Sequence, residues 1–468
     1  MKKLIAIAVA GVIGLGGLVI PNLFQEDCLV LKVANWAEYI DEGDGKETNH
    51  MVDDFEAWYE NQTGEKIRVE YCIADDNETL YNMIKMGDHF DLVCPSEYMI
   101  MKLVEEGRIQ KLPTTFFDAS IETNYYAQNV SPFIKETFET NTIGESKWSE
   151  YAAGYMWGTT GFVYNPLLVD EEDIQIWDVF RNQKYAQKIT AKNNVRDTYF
   201  VGLAMHYDTE LRDLKSQFEA ATISKELYQA QLKELMNDSS EETMNQVQPL
   251  LKELAGNLYG FETDEGKTKM LTGDLAINYQ WSGDGVFVID CAEFGEDEEN
   301  PLPPEKAVYL NYAIPETVSN LWFDGWTLMK DCKDVNAALM FINFLSMPEN
   351  AVRNMDYIGY TSCIGSDVVF QDFVKRKYDA KVACDGLHDV DDKCELCENC
   401  ETYDLNYYFN TDGESDEYKF KAEKEQLKRQ LFAQYPTEND LLRCVAMEYF
   451  NREENTRANL MWNDVTFS

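Results

Sequence analysis

The sequence predicts an α/β fold, and three observations support that prediction. Residues 29–205 alternate short apolar runs with helical patterns, as α/β units do. The chain has 468 residues, which is enough for two or three domains of ordinary size. Hydrophobic residues make up 45% of the chain, so ordered cores are expected rather than global disorder.

The first 28 residues have the pattern of an export signal or a membrane anchor. Lys2 and Lys3 give a positively charged start, and residues 4–20 form an uncharged run rich in Ala, Val, Ile and Gly. The segment could be a cleaved signal or an uncleaved anchor, and an anchor would hold the protein at the membrane. Either one predicts that the rest of the chain is extracytoplasmic, in the periplasmic space or on the outer face of the cell membrane.

The charge of the chain is strongly acidic. The net charge is −43, from 84 acidic and 41 basic residues. This balance argues against a nucleic-acid partner, because contact with phosphates requires clustered Lys and Arg. An acidic surface attracts cations over a distance, so the charge favours a cationic ligand.

The early elements follow from local patterns. A strand over 29–34 delivers Trp36 and Tyr39 at its carboxyl end, where α/β sheets bind ligands. Asn77 is expected to cap a helix that ends before Gly87. The other elements predicted in this region are a helix over 49–64 and strands over 66–71, 91–94 and 155–164.

The later part of the chain is predicted to contain more helix. Residues 208–256 carry Leu, Glu, Lys and Gln at helical spacing, which predicts two surface helices that separate near Asp238 and have no ligand role. Ser415 is expected to cap a charged helix over 415–434. The remaining predictions are strands over 275–279, 307–314 and 327–330 and helices over 335–344 and 437–462.

Aromatic and polar side chains occur together at several strand ends. An aliphatic amine suits this combination, because its methylenes pack on aromatic faces and its ammonium groups bind carboxylates. Asp324 is the strongest candidate for binding an ammonium group, because an unpaired charge in its apolar stretch of sequence would be costly. The alternative is that Asp324 forms a structural ion pair within the protein. Glu38 and Glu97 are expected at the rim or in solvent. The groups are Trp36 with Glu38 and Tyr39, Ser96 with Glu97 and Tyr98, Trp281 with Asp284, and Trp322 with Asp324.

In their order along the chain, these segments resemble the spermidine/putrescine-binding proteins of bacterial ABC transporters. The resemblance spans residues 29–367 in ordered blocks, and it implies a two-lobed, periplasmic-binding-protein-like fold of class II with a hinge and a ligand cleft. Lobe 1 would comprise 29–157 plus 325–367, and lobe 2 would comprise 158–324 plus 368–468. The implied partners are a polyamine and the membrane permease of an ABC importer. The blocks are 35–39, 77–79, 91–98, 107–112, 157–159, 343–345 and 358–361.

The resemblance also implies a set of ligand-binding residues. Three positions depart from the family pattern. Ala37 stands where the family often has a hydroxyl residue, Asn194 stands where many members have an aspartate, and Asp197 replaces a glutamate. One carboxylate fewer would weaken recognition of a second or third ammonium. The implied ligand-binding residues are Trp36, Tyr39, Ser96, Tyr98, Asn194, Asp197, Trp281, Trp322, Asp324 and Tyr360.

Catalysis and metal binding have weaker signals. The chain has four His and shows no nucleophile elbow, zinc-protease helix or phosphate loop, so we expect binding without chemistry and without a cofactor. The alternatives are another small solute in the same fold, a secreted hydrolase that uses paired carboxylates, and an acidic adhesin or calcium binder. In the acidic insert at 380–414, Cys384, Cys394, Cys397 and Cys400 could bind zinc, form disulfides or remain free thiols.

Overall fold

This computed structural model describes residues 28–43, 50–295, 301–380, 399–410 and 415–467. The strands are β1 Leu29–Trp36, β2 Ile67–Ala74, β3 Leu92–Val93, β4 Thr142–Ile143, β5 Ser146–Lys147, β6 Ala153–Tyr164, β7 Ile189–Lys192, β8 Gly260–Glu262, β9 Ile277–Trp281, β10 Asn311–Ala313, β11 Ser319–Leu328, β12 Thr361–Ser362, β13 Cys400–Asp404, β14 Lys419–Glu423 and β15 Cys444–Val445.

Most of the connections between the strands contain helices. The segment Phe370–Lys375, between the fifteenth and sixteenth helices, is π-helical. The α-helices are α1 Met51–Thr63, α2 Asn77–Met86, α3 Glu97–Glu105, α4 Tyr125–Asn129, α5 Pro132–Thr140, α6 Glu171–Ile174, α7 Val195–His206, α8 Asp208–Glu219, α9 Lys225–Met236, α10 Glu241–Asn257, α11 Glu265–Thr272, α12 Ser282–Phe294, α13 Val335–Leu345, α14 Pro348–Ile358, α15 Asp367–Val369, α16 Arg376–Tyr378, α17 Asn406–Phe409, α18 Gln430–Gln434, α19 Glu438–Leu441 and α20 Arg452–Thr466.

The main sheet has two parallel groups of strands joined by two long antiparallel strands. The order is β2-β1-β3-β11-β6-β9-β7-β8, and β1 pairs in parallel with β2 and β3, as β7 does with β8 and β9. The joining strands β6 and β11 are buried along their whole length. Both groups therefore deliver their carboxyl ends toward the region where β6 and β11 cross between them.

Local chemistry explains where the early helices begin and end. Helix α1 ends at Gly64, whose φ of +75° is the left-handed conformation that glycine adopts without strain. Helix α2 is capped by Asp76, which accepts a hydrogen bond from the Thr79 amide at 2.6 Å. The predicted Asn77 cap is therefore wrong. The Asn77 side chain instead bonds to Ser96, so it tethers α2 to the turn that follows β3.

Three helical predictions in the later part of the chain are also wrong. The helix predicted over 437–462 is instead the short helix α19, the strand β15 and the helix α20, which begins only at Arg452. Residues 208–256 form the three helices α8, α9 and α10, and α10 buries Val247, Leu251 and Leu254 against α7 and α20. Residues 415–434 contain strand β14 and the short helix α18 instead of one helix. The reason is that Phe420 and Ala422 are buried and alternate with partly buried residues, which is the period of a half-buried strand.

Two buried cores support the sheet. One contains Leu31 and Val33 of β1, and the other contains Ile189 of β7 and Leu203 of α7. In the final part of the chain, Tyr408 packs in the first core, whereas Met461 and Val465 of α20 pack in the second. The boundaries proposed for the two lobes stay a prediction. Within the ranges described, no helix is long and apolar enough to cross a membrane, and residues 1–27 lie outside those ranges.

Candidate ligand-binding site

Asp324 lies at the centre of the candidate site, on the middle of β11. Its Oδ2 accepts hydrogen bonds from Tyr39 OH at 2.8 Å and Trp36 Nε1 at 3.2 Å, and its Oδ1 accepts one from Ser96 Oγ at 2.7 Å. Trp36 is the last residue of β1, Tyr39 follows that strand, and Ser96 precedes α3, so two strand ends meet β11 at one carboxylate. The predicted group Trp36, Tyr39, Ser96 and Asp324 is therefore brought together.

The Asp324 carboxyl is buried and has no protein cation as a partner. It is 5% exposed, and among the residues described here no Lys or Arg nitrogen forms a salt bridge with it. Burial raises the pKa of Asp324 to about 6, while the hydrogen bonds from Ser96, Tyr39 and Trp36 lower it. The alternative prediction, that Asp324 forms a structural ion pair, is therefore wrong. The carboxylate can attract a cation from solution.

Aromatic side chains form a wall next to this carboxylate. The ring of Tyr360 lies 5.0 Å from that of Tyr39 and 5.6 Å from that of Trp322, both edge to face. The Trp322 indole is fixed by a hydrogen bond from its Nε1 to the Thr159 carbonyl at 3.2 Å. Gly283 is needed for this packing, because a Cβ there would stand 2.2 Å from Cγ of Tyr360.

A second carboxyl, Glu78, joins residues that come from both parallel groups. Tyr98 OH donates to Glu78 Oε1 at 3.2 Å, and Asn194 Nδ2 lies 3.4 Å from Glu78 Oε2. Asn194 also caps α7, since its Oδ1 accepts hydrogen bonds from the Arg196 and Asp197 amides. Burial and the nearby Asp76 raise the pKa of Glu78 to about 7. Sequence reasoning gave Glu78 no ligand role, although it lies in one of the resembling blocks.

Two further carboxyls adjoin this region. Burial raises the pKa of Asp197 to about 6, against the influence of Lys192 and Arg196 and of a hydrogen bond from Trp281. Glu97 was expected at the rim or in solvent, and this is wrong, because it is 1% exposed. Its Oε2 accepts a hydrogen bond from the Phe323 amide at 3.0 Å, and burial raises its pKa to about 8.

Two lysines of the protein adjoin the same region, and sequence reasoning missed both. Lys192 Nζ stands 3.8 Å from the centre of the Trp281 ring. Lys267 Nζ lies 3.0 Å from Asp264 Oδ1 and 3.4 Å from Asp284 Oδ1. Asp284, which the sequence paired with Trp281, is therefore already neutralised by a lysine.

The cysteine cluster gives no metal site that can be examined. Cys384, Cys394 and Cys397 lie outside the described residues, and Cys400 lies at the start of β13. Across the parts of the chain that are described, no group of three or more His, Cys, Asp or Glu side chains is placed to hold a metal ion. The zinc, disulfide and thiol alternatives stay open.

The fold and the site together define a class of protein. A sheet of two parallel groups that share two long strands, with a buried unpaired carboxylate and aromatic walls where the groups meet, is the arrangement of a two-lobed solute-binding protein. The chain belongs to the bacterial extracellular solute-binding protein family, whose model matches residues 50–376.

Curated relatives carry more specific names. The chain is 26% identical over 330 residues to the spermidine/putrescine-binding periplasmic protein of Salmonella typhimurium, covering 70% of this chain and 75% of that protein. It is also 26% identical over 343 residues to a putrescine-binding periplasmic protein of Pseudomonas aeruginosa, covering 71% and 78%. The resemblance found in the sequence is thereby confirmed.

Solved structures support the fold. The spermidine/putrescine ABC transporter substrate-binding protein PotD of Streptococcus pneumoniae is similar with a TM-score of 0.55 at 22% identity, covering 94% of this chain and 99% of that one. A lipoprotein of Treponema pallidum is similar with a TM-score of 0.57 at 16% identity, covering 94% and 100%. The predicted two-lobed α/β fold is confirmed.

Proposed function

We propose that this protein is the extracytoplasmic polyamine-binding subunit of an ABC importer, which captures putrescine, spermidine or a related amine between its lobes. It binds the amine without chemical change and hands it to a membrane permease. The names of the relatives support the ligand class and the location. Residues 1–28 would export the protein or hold it at the membrane.

One observation supports a cationic ligand above all. The carboxyls of Glu78, Glu97, Asp197 and Asp324 adjoin one region, and within the described ranges none of them forms a salt bridge. Their pKa values are raised to between about 6 and about 8, mainly by burial. A buried carboxylate without a salt-bridge partner is costly, so an arriving ammonium would supply the opposite charge that Asp324 lacks within the protein.

The aromatic groups explain why the cation should be an aliphatic amine instead of a metal ion. Trp36 and Tyr39 contact Asp324, and Tyr360 and Trp322 continue the aromatic wall from Tyr39, so aromatic rings outnumber oxygen ligands here. Calcium takes six to eight oxygens, whereas a methylene chain packs on aromatic rings while its ammonium reaches the carboxylate.

Isothermal titration calorimetry on the purified full-length protein tests the proposal. Putrescine and spermidine should release heat and saturate one site, whereas leucine and calcium chloride should not. Binding of an amino acid or of calcium with no response to any polyamine would refute the proposed ligand class. The amine should be recovered unchanged after long incubation, and any product would favour the hydrolase alternative.

A further inference from the structure

Tyr360 is the single residue that connects the end of helix α14 to the short strand β12. Its ring packs edge to face against the rings of Tyr39 and Trp322 in the aromatic wall. Gly359, the residue before it, has a φ of +77°, which is the left-handed conformation that ends α14. Thr361, the residue after it, begins β12. The place of the Tyr360 ring therefore depends on how these two neighbours are held.

Gln434, from the final part of the chain, binds both neighbours. Its Nε2 donates a hydrogen bond to the Gly359 carbonyl at 2.9 Å, and its own carbonyl accepts one from Thr361 Oγ1 at 2.9 Å. The other end of the side-chain amide is also fixed, because Gln434 Oε1 accepts a hydrogen bond from the Tyr378 hydroxyl. Gln434 is 1% exposed, so water competes little with these hydrogen bonds.

The helix that carries Gln434 is itself anchored. Helix α18 packs against α12, the helix that follows strand β9. Arg429, just before α18, forms a salt bridge with Glu293 of α12. Gln430 Nε2 donates to Asp290 Oδ1 of the same helix at 2.9 Å. Gln434 therefore ties the aromatic wall to a helix that charged and buried contacts hold in place.

We propose that Gln434 is a positioning residue of the amine site, which holds the Tyr360 ring in place so that the aromatic wall is formed before the ligand arrives. This inference rests on the proposed amine-binding function and deepens it. Gln434 lies beyond residues 50–376, which the family model matches, and no pattern in the sequence indicated a role for it in the site.

The reason is that a ligand binds more tightly to a wall that is already formed than to a mobile one. If the Tyr360 ring were mobile, the ligand would have to order it on binding, and that ordering would be lost from the affinity. Gln434 itself is buried, and its Nε2 and Oε1 both have partners within the protein. Its effect on affinity must therefore pass through the segment that carries Tyr360.

A double-mutant cycle on the full-length protein, measured by calorimetry with putrescine, tests the inference. Gln434→Met keeps the length of the side chain but removes its hydrogen bonds, and it should weaken putrescine binding at least about fivefold. In the Tyr360→Leu background the same substitution should change the dissociation constant by less than about twofold, because the ring that Gln434 positions is already absent. An equal loss in both backgrounds, or no loss in the otherwise wild-type protein, would overturn the inference.

Gln430→Met is the matched control. Gln430 is a similarly buried glutamine one turn earlier on the same helix, and its side chain binds Asp290 instead of the segment around Tyr360. This variant should lower the unfolding temperature as Gln434→Met does, but it should leave the putrescine affinity unchanged. A loss of affinity of the same size in both variants would indicate a general loss of stability and would overturn the inference.

Thr361→Val keeps the inference testable if Gln434→Met does not fold. It removes the hydrogen bond from Thr361 Oγ1 to the Gln434 carbonyl and keeps the branched shape of the side chain. It should also weaken putrescine binding, and only where Tyr360 is present. The same loss in the Tyr360→Leu background, or no loss at all, would overturn the inference. Absence of binding of every amine by the wild-type protein would instead refute the proposed function on which the inference rests.

Discussion

Replacement of Asp324 by asparagine separates the ligand role of this carboxyl from its structural role. The asparagine oxygen can take the place of Oδ2 and keep the hydrogen bonds from Trp36 and Tyr39. Its amide group then faces Ser96, whose hydroxyl can accept instead of donating. The local hydrogen bonds survive in this variant, and the main loss is the negative charge.

The size of the effect follows from the state of Asp324. With a pKa of about 6, the carboxyl is roughly nine-tenths ionised at pH 7, so the charge is present under ordinary assay conditions. A charge-assisted hydrogen bond to an ammonium contributes about 1.5–3 kcal/mol. Asp324→Asn should therefore weaken putrescine binding about ten- to 150-fold, since each 1.4 kcal/mol is about a factor of ten.

Stability should change in the opposite sense. Because the pKa of Asp324 is raised on folding, its contribution to stability is present below the unfolded pKa and is lost as the pH rises through about 6. At about pH 8 the ligand-free variant should thus unfold at a temperature no lower than wild type. Asp331→Asn is the matched control, because it removes the same charge from an exposed position shortly after β11.

Calorimetry gives the affinities, and thermal unfolding without ligand gives the stabilities. Unchanged putrescine affinity in Asp324→Asn would remove this residue from the ligand site. A large loss of stability at about pH 8 would refute the reasoning about its buried charge, whatever the affinity.

Three further predictions follow from the same site. Amine affinity should fall as the pH is lowered from about 8 to about 5.5, because Glu78 and Asp197, with pKa values of about 7 and about 6, take up protons. The stability of the ligand-free protein should instead fall as the pH is raised, because these two carboxyls then ionise. Affinity that does not vary with pH would contradict this prediction. Trp36→Ala and Trp281→Ala should each lower affinity through lost stacking, and addition of amine should shift tryptophan fluorescence. Asn194→Asp should favour the binding of spermidine over putrescine at about pH 9 but not at about pH 7. The reason is that the new carboxylate lies next to Glu78 and raises the pKa of Glu78, so the two are both ionised only at the higher pH. An equal effect on the affinities for both amines would exclude a role for position 194.

The part of the site near Asp324 could be predicted because strand ends carry a local signal. Short apolar runs mark the strands, and the residues that follow them in parallel strands share one edge of the sheet. Trp36, Tyr39 and Ser96 follow such runs, and all three donate to Asp324. The local sequence pattern and the family resemblance both pointed to these residues. Their contacts with Asp324 depend on the topology of the sheet more than on the detail of side-chain packing.

The errors have physical causes that no local pattern records. Glu97 follows a strand, like the polar residues of the site, but its side chain turns into the core to accept from the Phe323 amide. Residues 415–434 have helical composition, yet Phe420 and Ala422 are drawn into a strand by pairing with β13. In both cases a partner far away in the sequence decides the conformation, and tertiary contacts override local preference.

The departure at position 194 takes on a different meaning in the structure. Asn194 in place of an aspartate was expected to leave one carboxylate fewer for the second or third ammonium. However, the Asn194 amide lies 3.4 Å from Glu78, a carboxyl 116 positions earlier on helix α2. An aspartate at 194 would oppose Glu78, so the two positions cannot both carry a stable charge without a ligand between them. We therefore expect the ammonium that the family pattern assigns to residue 194 to be bound by Glu78.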